Sequence, residues 1–203
     1  MIDHPLELDY WDQYDLILGM DEAGRGPICG PMMVAGVIFP KGYANELLDD
    51  SKKLTEKKRE ALYHQICKDA LWYQILCVSP ETIDEKNIYQ AAKWGMEQIA
   101  RNAGAEFVLS DAMPLGQGIE HEAVIKGDSK SLSIAAASIL AKVSRDHYMK
   151  KLDALFPQYG LAKHKGYPTK AHLEAIDQYG VQDFYRRTYA PVQRVLTRQL
   201  SLF

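Results

Sequence analysis

The chain has 203 residues, 47% of them hydrophobic and 25% charged, proportions that suit one folded domain and exclude wholesale disorder or a fibre. Its net charge of −3 argues against a broad phosphate-binding face. No apolar run nears the ~20 residues of a membrane helix, so a membrane partner is not expected. The opening carries Asp3, Glu7 and Asp9 instead of a signal peptide, and the odd set Cys29, Cys67 and Cys77 points to a reducing, cytoplasmic setting, with all three as small buried residues.

Positive charge is concentrated locally, in Lys52, Lys53, Lys57, Lys58 and Arg59, in Lys163, His164 and Lys165, and in Arg186 and Arg187. Each cluster taken alone reads as the solvated face of a surface helix. Along the chain, Tyr14 to Met20 is β-prone and runs into Asp21-Glu22-Ala23-Gly24-Arg25-Gly26, a strand ending in a tight loop. Pro31 to Pro40 encloses a second strand, apolar on both sides, that pairs with the first as a hairpin. Thr55 to Lys68 reads as a helix and Trp72 to Val78 as a strand.

Thr82 to Asn102 forms one helix or two, with Thr82 and Glu85 at capping-box spacing and Ile88, Ala91, Ala92, Met96 and Ile99 facing inward. Short strands follow at Phe107 to Ser110, ending at Asp111, and at His121 to Lys126, ending at Gly127-Asp128. Ser133 to Phe156 is a long helix whose alanine-rich start permits close packing on a sheet. Thr169 to Tyr179 is the last clear helix, capped by Thr169 and stopped at Gly180. These elements predict an α/β fold, a mixed sheet flanked by helices with a helical C-terminal portion.

Chemistry concentrates in acids at strand ends. Asp21 and Glu22 are awkward in a core unless solvated, paired or bound to a cation, although a short Asp-Glu pair beside glycines is by itself more often a turn. Asp111 and Asp128 each follow a β-like run. If those strands lie together, four carboxylates reach one edge and repel one another unless hard divalent cations bind there. Asp128 also precedes a helix and would serve as its cap. Asp146 is a rival fourth acid, but it lies inside the long helix, where Arg145 or Lys150 would pair with it. No Cys/His spacing supports zinc, and no nucleophile elbow is present.

The block Met20-Asp21-Glu22-Ala23-Gly24-Arg25-Gly26-Pro27, followed by Gly30-Pro31, closely resembles the opening of bacterial ribonuclease HII. Further blocks of that family occur in its order: Asp50-Ser51-Lys52-Lys53-Leu54, Asn87-Ile88, Lys126-Gly127-Asp128, the run from Ala135 to Asp146, and His164-Lys165-Gly166-Tyr167-Pro168-Thr169. The resemblance spans about Leu16 to Val192. At Ser110-Asp111-Ala112-Met113 the chain departs from the family, which usually has glycine after the aspartate.

The resemblance implies a ribonuclease H-like fold in residues 1–190 and metal-dependent endonucleolytic cleavage of RNA in RNA–DNA hybrids, including single ribonucleotides in duplex DNA, by a monomer. It implies Asp21, Glu22, Asp111 and Asp128 as catalytic acids holding Mg²⁺ or Mn²⁺. Gly24, Arg25, Gly26, Lys52 and Tyr167 are implied as substrate-binding residues. A DNA nuclease of the same broad fold and a non-enzymatic hybrid-binding module remain as alternative readings.

The end of the chain, Gln199-Leu200-Ser201-Leu202-Phe203, resembles the short peptides that dock replication and repair proteins on the bacterial sliding clamp. Residues 191–203 are accordingly expected to form a mobile tail, with Gln199, Leu200, Leu202 and Phe203 as its contacts.

Overall fold

A computed structural model describes residues 2–48, 51 and 54–200, the last two by their backbone alone. Its strands are β1 (Ile17–Ala23), β2 (Met32–Ile38), β3 (Trp72–Val78), β4 (Phe107–Asp111) and β5 (His121–Val124). They form one sheet in the order β3-β2-β1-β4-β5. β1 pairs antiparallel with β2, β2 antiparallel with β3, and β4 parallel with both β1 and β5. The expected hairpin across the glycine-rich loop is present, and every residue of β2 is buried, as its two-sided apolarity requires.

Alternation along the strands divides the core into two layers. Met33, Ala35 and Val37 of β2 pack with Ala136, Ile139 and Leu140 of α4 (Leu132–Leu155) and with Leu62 and Ile66 of α1 (Glu56–Asp69). On the opposite face, Leu18, Met20 and Val34 meet Ala91, Ala92, Met96 and Ile99 of α3 (Ile88–Ala103). α4 lies very close to β1: a Cβ at Gly19 would stand 2.3 Å from Ser133. Only glycine permits that approach.

A third apolar cluster joins Ile28 and Cys29 of the β1–β2 loop to Met149, Leu152, Tyr159, Ile176 and Tyr185. It seats α5 (Leu161–His164) and α6 (Lys170–Tyr179) over the end of α4.

Several expectations shift. β1 runs from Ile17 to Ala23, later than expected, because Asp21 and Glu22 pair with Ala35 and Val34, while Tyr14 stacks on Phe107 at 4.8 Å. The 82–102 region is two helices, α2 (Pro80–Lys86) and α3, parted at Asn87 with φ 64°. The side chain of Asn87 accepts from the N–H groups of Tyr89 and Gln90. The cap of α2 is Ser79, followed by Pro80, and not Thr82.

β5 stops at Val124, so Asp128 belongs to a separate 3-10 turn, Gly127–Ser129, after the left-handed Lys126. Of the cysteines only Cys29 is buried; Cys67 is half-buried and Cys77 exposed on the edge strand β3. The expected break at 190 falls instead at the start of a helix, α7 (Ala190–Leu200), whose Val192 and Val195 are buried in the third cluster. Among the described residues no helix is long and apolar enough to cross a membrane.

Candidate active site

Register brings the acids together. Met20 on β1 pairs with Ser110 on β4, so Asp21 and Asp111 follow at the same level on neighbouring parallel strands. Both share the phase of Gly19 and Leu109, which face α4. Asp21, Glu22 and Asp111 line one cavity of about 350 Å³. Asp128 stands beside it, buried in its turn, where the Gly127 N–H donates to Asp111 Oδ1 at 2.8 Å.

Burial pushes the Asp21 carboxyl well above the usual carboxylate range, and the charges of Glu22, Asp111 and Asp128 push it further. The Glu22 N–H, donating to Asp21 Oδ1 at 2.7 Å, works in the opposite sense. Glu22 Oε1 also receives Arg25 at 3.4 Å.

The other wall is the loop Gly24-Arg25-Gly26 with Tyr167. Gly24 has φ 107°, and a Cβ there would stand 2.2 Å from Arg145 Nε, so the position admits no side chain. Tyr167, 49% exposed, lies against Gly26, its Cε1 only 3.1 Å from where a Cβ would be. Its exposure beside the acids separates it from an ordinary core aromatic.

Two buried arginines hold this loop by its carbonyl oxygens. Arg186 donates to Gly24 O at 2.7 Å, Arg25 O at 3.1 Å, Pro27 O at 2.7 Å and Gly30 O at 3.0 Å. Arg145 donates to Pro31 O at 3.0 Å, Cys29 O at 3.2 Å and Lys165 O at 2.9 Å. Burial lowers both guanidinium pKa values, that of Arg145 to about 10. Arg186 is therefore a core brace and not part of a solvated basic face, as its sequence cluster suggested.

Behind Tyr167, His172 is fully buried and linked to Tyr167 O and to the Tyr185 hydroxyl, each at 2.9 Å. Desolvation lowers its pKa to about 4, so it is neutral at pH 7, with Nδ1–H donating to the carbonyl and Nε2 accepting from Tyr185.

Residues given no individual role from sequence complete the cavity: Ser51, Ser138 and Lys142. Ser51 Oγ and Ser138 Oγ share a hydrogen bond of 2.7 Å. Ser138, Lys142 and Arg145 recur every three or four residues on α4, a polar line on an otherwise alanine-rich inward face, and that periodicity is the signal that marks them. Asp146 pairs with Lys142 at 2.6 Å instead of Arg145 or Lys150, because Lys142 sits one turn earlier on the same face. Arg145 is committed to carbonyls, and Lys150 reaches Glu56 at 2.6 Å. Lys52 lies outside the described residues.

The donor set is made of carboxylates alone, which fits hard cations such as Mg²⁺ or Mn²⁺ and not zinc. Among the described residues no three His, Cys, Asp or Glu side chains already stand arranged to hold a metal ion. Burial first, and then the charges of Glu22, Asp111 and Asp128, oppose ionisation of Asp21, and a bound divalent cation would favour its ionised form.

Residues 18–192 match the sequence profile of the family Ribonuclease HII. A ribonuclease HII of Francisella tularensis subsp. novicida is 53% identical over 184 residues, covering 89% of this chain and 100% of its own. Among solved structures, the ribonuclease H2 of Pyrococcus horikoshii OT3 superposes with a TM-score of 0.78 at 26% identity, covering 90% of this chain and 98% of its own. The ribonuclease HII of Archaeoglobus fulgidus, solved in complex with PCNA, gives a TM-score of 0.74 at 29% identity over 86% of this chain and 95% of its own. The chain belongs to the ribonuclease HII family: it is a ribonuclease H, a nuclease that hydrolyses RNA paired with DNA.

Proposed function

We propose that the protein is an endonuclease that cleaves on the 5′ side of single ribonucleotides embedded in duplex DNA, as well as within longer RNA–DNA hybrids. The products have 3′-hydroxyl and 5′-phosphate ends, and the role is ribonucleotide removal and RNA primer processing. One observation carries this reading: the loop Gly24-Arg25-Gly26, bare of side chains at its two glycines, and an exposed aromatic, Tyr167, meet across the cavity that holds Asp21, Glu22 and Asp111.

The 2′-hydroxyl is the local feature that separates RNA from DNA. At Gly24 and Gly26 the bare backbone reaches it where a larger residue would collide. Arg186 takes the carbonyls of Gly24 and Arg25, so the N–H groups are what the loop can turn to a ribose or phosphate. Tyr167 packs on the sugar at the junction, and Arg25 and Lys52 meet phosphate. Asp21, Glu22, Asp111 and Asp128 would hold Mg²⁺ or Mn²⁺. When bound in a pair, such cations activate a water and stabilise both the attacking and leaving oxygens of a phosphodiester. Lys142, held by Asp146 at the cavity wall, adds positive charge where a phosphate enters.

The test is cleavage of three duplexes, one with a single ribonucleotide, one with its 2′-deoxy counterpart and one with an RNA tract, each with Mg²⁺ and with chelator. Cutting only at ribonucleotides and only with metal supports the reading. Cutting of all-DNA duplex, or binding without cutting, rejects it. Tyr167→Ala should reduce turnover on the single ribonucleotide more than it reduces duplex binding.

The C-terminal peptide is proposed to dock on a sliding clamp through Gln199, Leu200, Leu202 and Phe203. These side chains lie outside the described residues, although the backbone of α7 reaches Leu200. Support comes from the peptide's composition and from the Archaeoglobus fulgidus relative solved with PCNA. Deleting residues 199–203 should abolish retention by purified clamp while leaving cleavage of free duplex unchanged. Equal retention would reject the docking.

A further inference from the structure

Glu7 lies before the family-matched residues 18–192, on a short 3-10 helix, Leu6–Asp9, yet it is 2% exposed. A carboxylate so buried must be fully used. Glu7 Oε1 accepts from Ser131 Oγ at 2.6 Å, Ser133 N at 2.8 Å and Ser133 Oγ at 2.7 Å, and Oε2 accepts from Leu132 N at 3.2 Å. It thus satisfies the first free N–H groups of α4 and places negative charge at the positive end of that helix. Leu6 N adds a bond to Lys130 O at 2.8 Å.

The segment is fastened along its length. Tyr10 stacks on Phe107 at 4.5 Å and donates its hydroxyl to Glu122, and Trp11 is buried with Leu109, Val124 and Ile134. What Glu7 grips leads directly to the acids. Ser131 N bonds Gly127 O at 2.8 Å, closing the turn that contains Asp128, and Gly127 N bonds Asp111 Oδ1 at 2.8 Å. Two bonded steps therefore connect the Glu7 carboxylate to the turn of Asp128, and a third reaches Asp111.

We propose that Glu7 is a positioning residue, a buried strap from the N-terminal segment that fixes the Asp128 turn and the start of α4 relative to Asp21 and Asp111. The proposal rests on the reading of Asp128 and Asp111 as metal-holding acids. A cap that served stability alone would lower the unfolding midpoint without touching the acid site, so the experiment separates the two.

Wild type, Glu7→Ala, Glu7→Gln and Ser79→Ala, which removes the cap of α2 away from the acids, are compared as full-length proteins. The readouts are Mn²⁺ affinity by calorimetry without substrate, kcat and KM on a duplex with one ribonucleotide, urea midpoint, and amide exchange. Glu7→Ala should weaken Mn²⁺ binding and lower kcat each by about tenfold, with KM within about twofold, the scale typical of groups that orient metal ligands. Glu7→Gln, which keeps one accepting oxygen, should fall between, and Ser79→Ala should move only the midpoint. Amides of 127–133 should exchange faster in Glu7→Ala while those of β1 do not.

A lowered midpoint with wild-type Mn²⁺ affinity and kcat would overturn the proposal, as would unchanged exchange at 127–133. If Glu7→Ala does not fold, Glu7→Gln carries the same decision. Failure of the wild type itself to bind Mn²⁺ or cleave would overturn the functional reading instead, while the exchange data would still report on the strap.

Discussion

Arg186 Nη2 donates to Gly24 O at 2.7 Å, so a residue near the end of the chain holds the loop that begins immediately after the first two acids. The guanidinium is fully buried and carries three further carbonyls, those of Arg25, Pro27 and Gly30. A planar fork with five N–H donors suits that task, and a lysine ammonium does not. Arg186→Lys should therefore cost about 3–5 kcal/mol of unfolding free energy, because buried carbonyls and a buried charge lose partners. Turnover should fall with it. Urea unfolding checks this, and a loss below about 1 kcal/mol would show that the carbonyls find other donors.

Ala112 has φ 49°, directly after Asp111, with its N–H bonded to Val124 O at 3.0 Å. The family's usual glycine at this place has a physical reason: the turn out of β4 enters the left-handed region, where a Cβ crowds the backbone. Ala112→Gly should stabilise the fold by about 0.5–1 kcal/mol, the strain relieved less the added freedom of the unfolded chain. A thermal scan checks the sign. Destabilisation would contradict the account.

The sequence made the strands and the acids readable for a simple reason: alternation and apolar runs report burial on a sheet, and adjacent carboxylates are conspicuous there. Asp21 and Glu22 were placed past the end of β1 because their charge argues against a strand. They lie within it because β2 supplies their pairing partners, Ala35 and Val34, while β4 pairs with β1 only as far as Met20. Arg186 was not legible as a brace, since Arg186-Arg187 looks the same whether solvated or buried until the carbonyls of a loop over 150 residues away are brought to it. The helix over 190–200 was missed because its burial depends on Ile28, Cys29 and Tyr159, which no local pattern connects to Val192 and Val195.

His172 links the backbone beneath Tyr167 to Tyr185, and its pKa of about 4 lies below the value near 6.5 of an unfolded histidine. Above pH 6.5 both states are neutral and the contribution to stability is complete. As pH falls from about 6.5 towards 4, the unfolded state takes up the proton first, and stability is lost. Urea midpoints across that window should fall more steeply for wild type than for His172→Gln, which lacks the titrating group. Parallel slopes would show that the acid sensitivity resides elsewhere.

The central claim is that Asp21, with Asp111 beside it, serves a metal-dependent phosphodiesterase centre and not the fold. The most direct measurement is turnover of Asp21→Asn on a duplex containing one ribonucleotide in Mg²⁺, beside the thermal stability of the same preparation without metal. The account predicts turnover reduced by more than about a hundredfold, because a lost metal ligand removes charge stabilisation that no neighbour replaces. It also predicts a melting temperature equal to or above that of wild type, since the substitution removes a carboxyl whose ionised form is opposed by burial and by Glu22, Asp111 and Asp128. Turnover within about tenfold of wild type would contradict it.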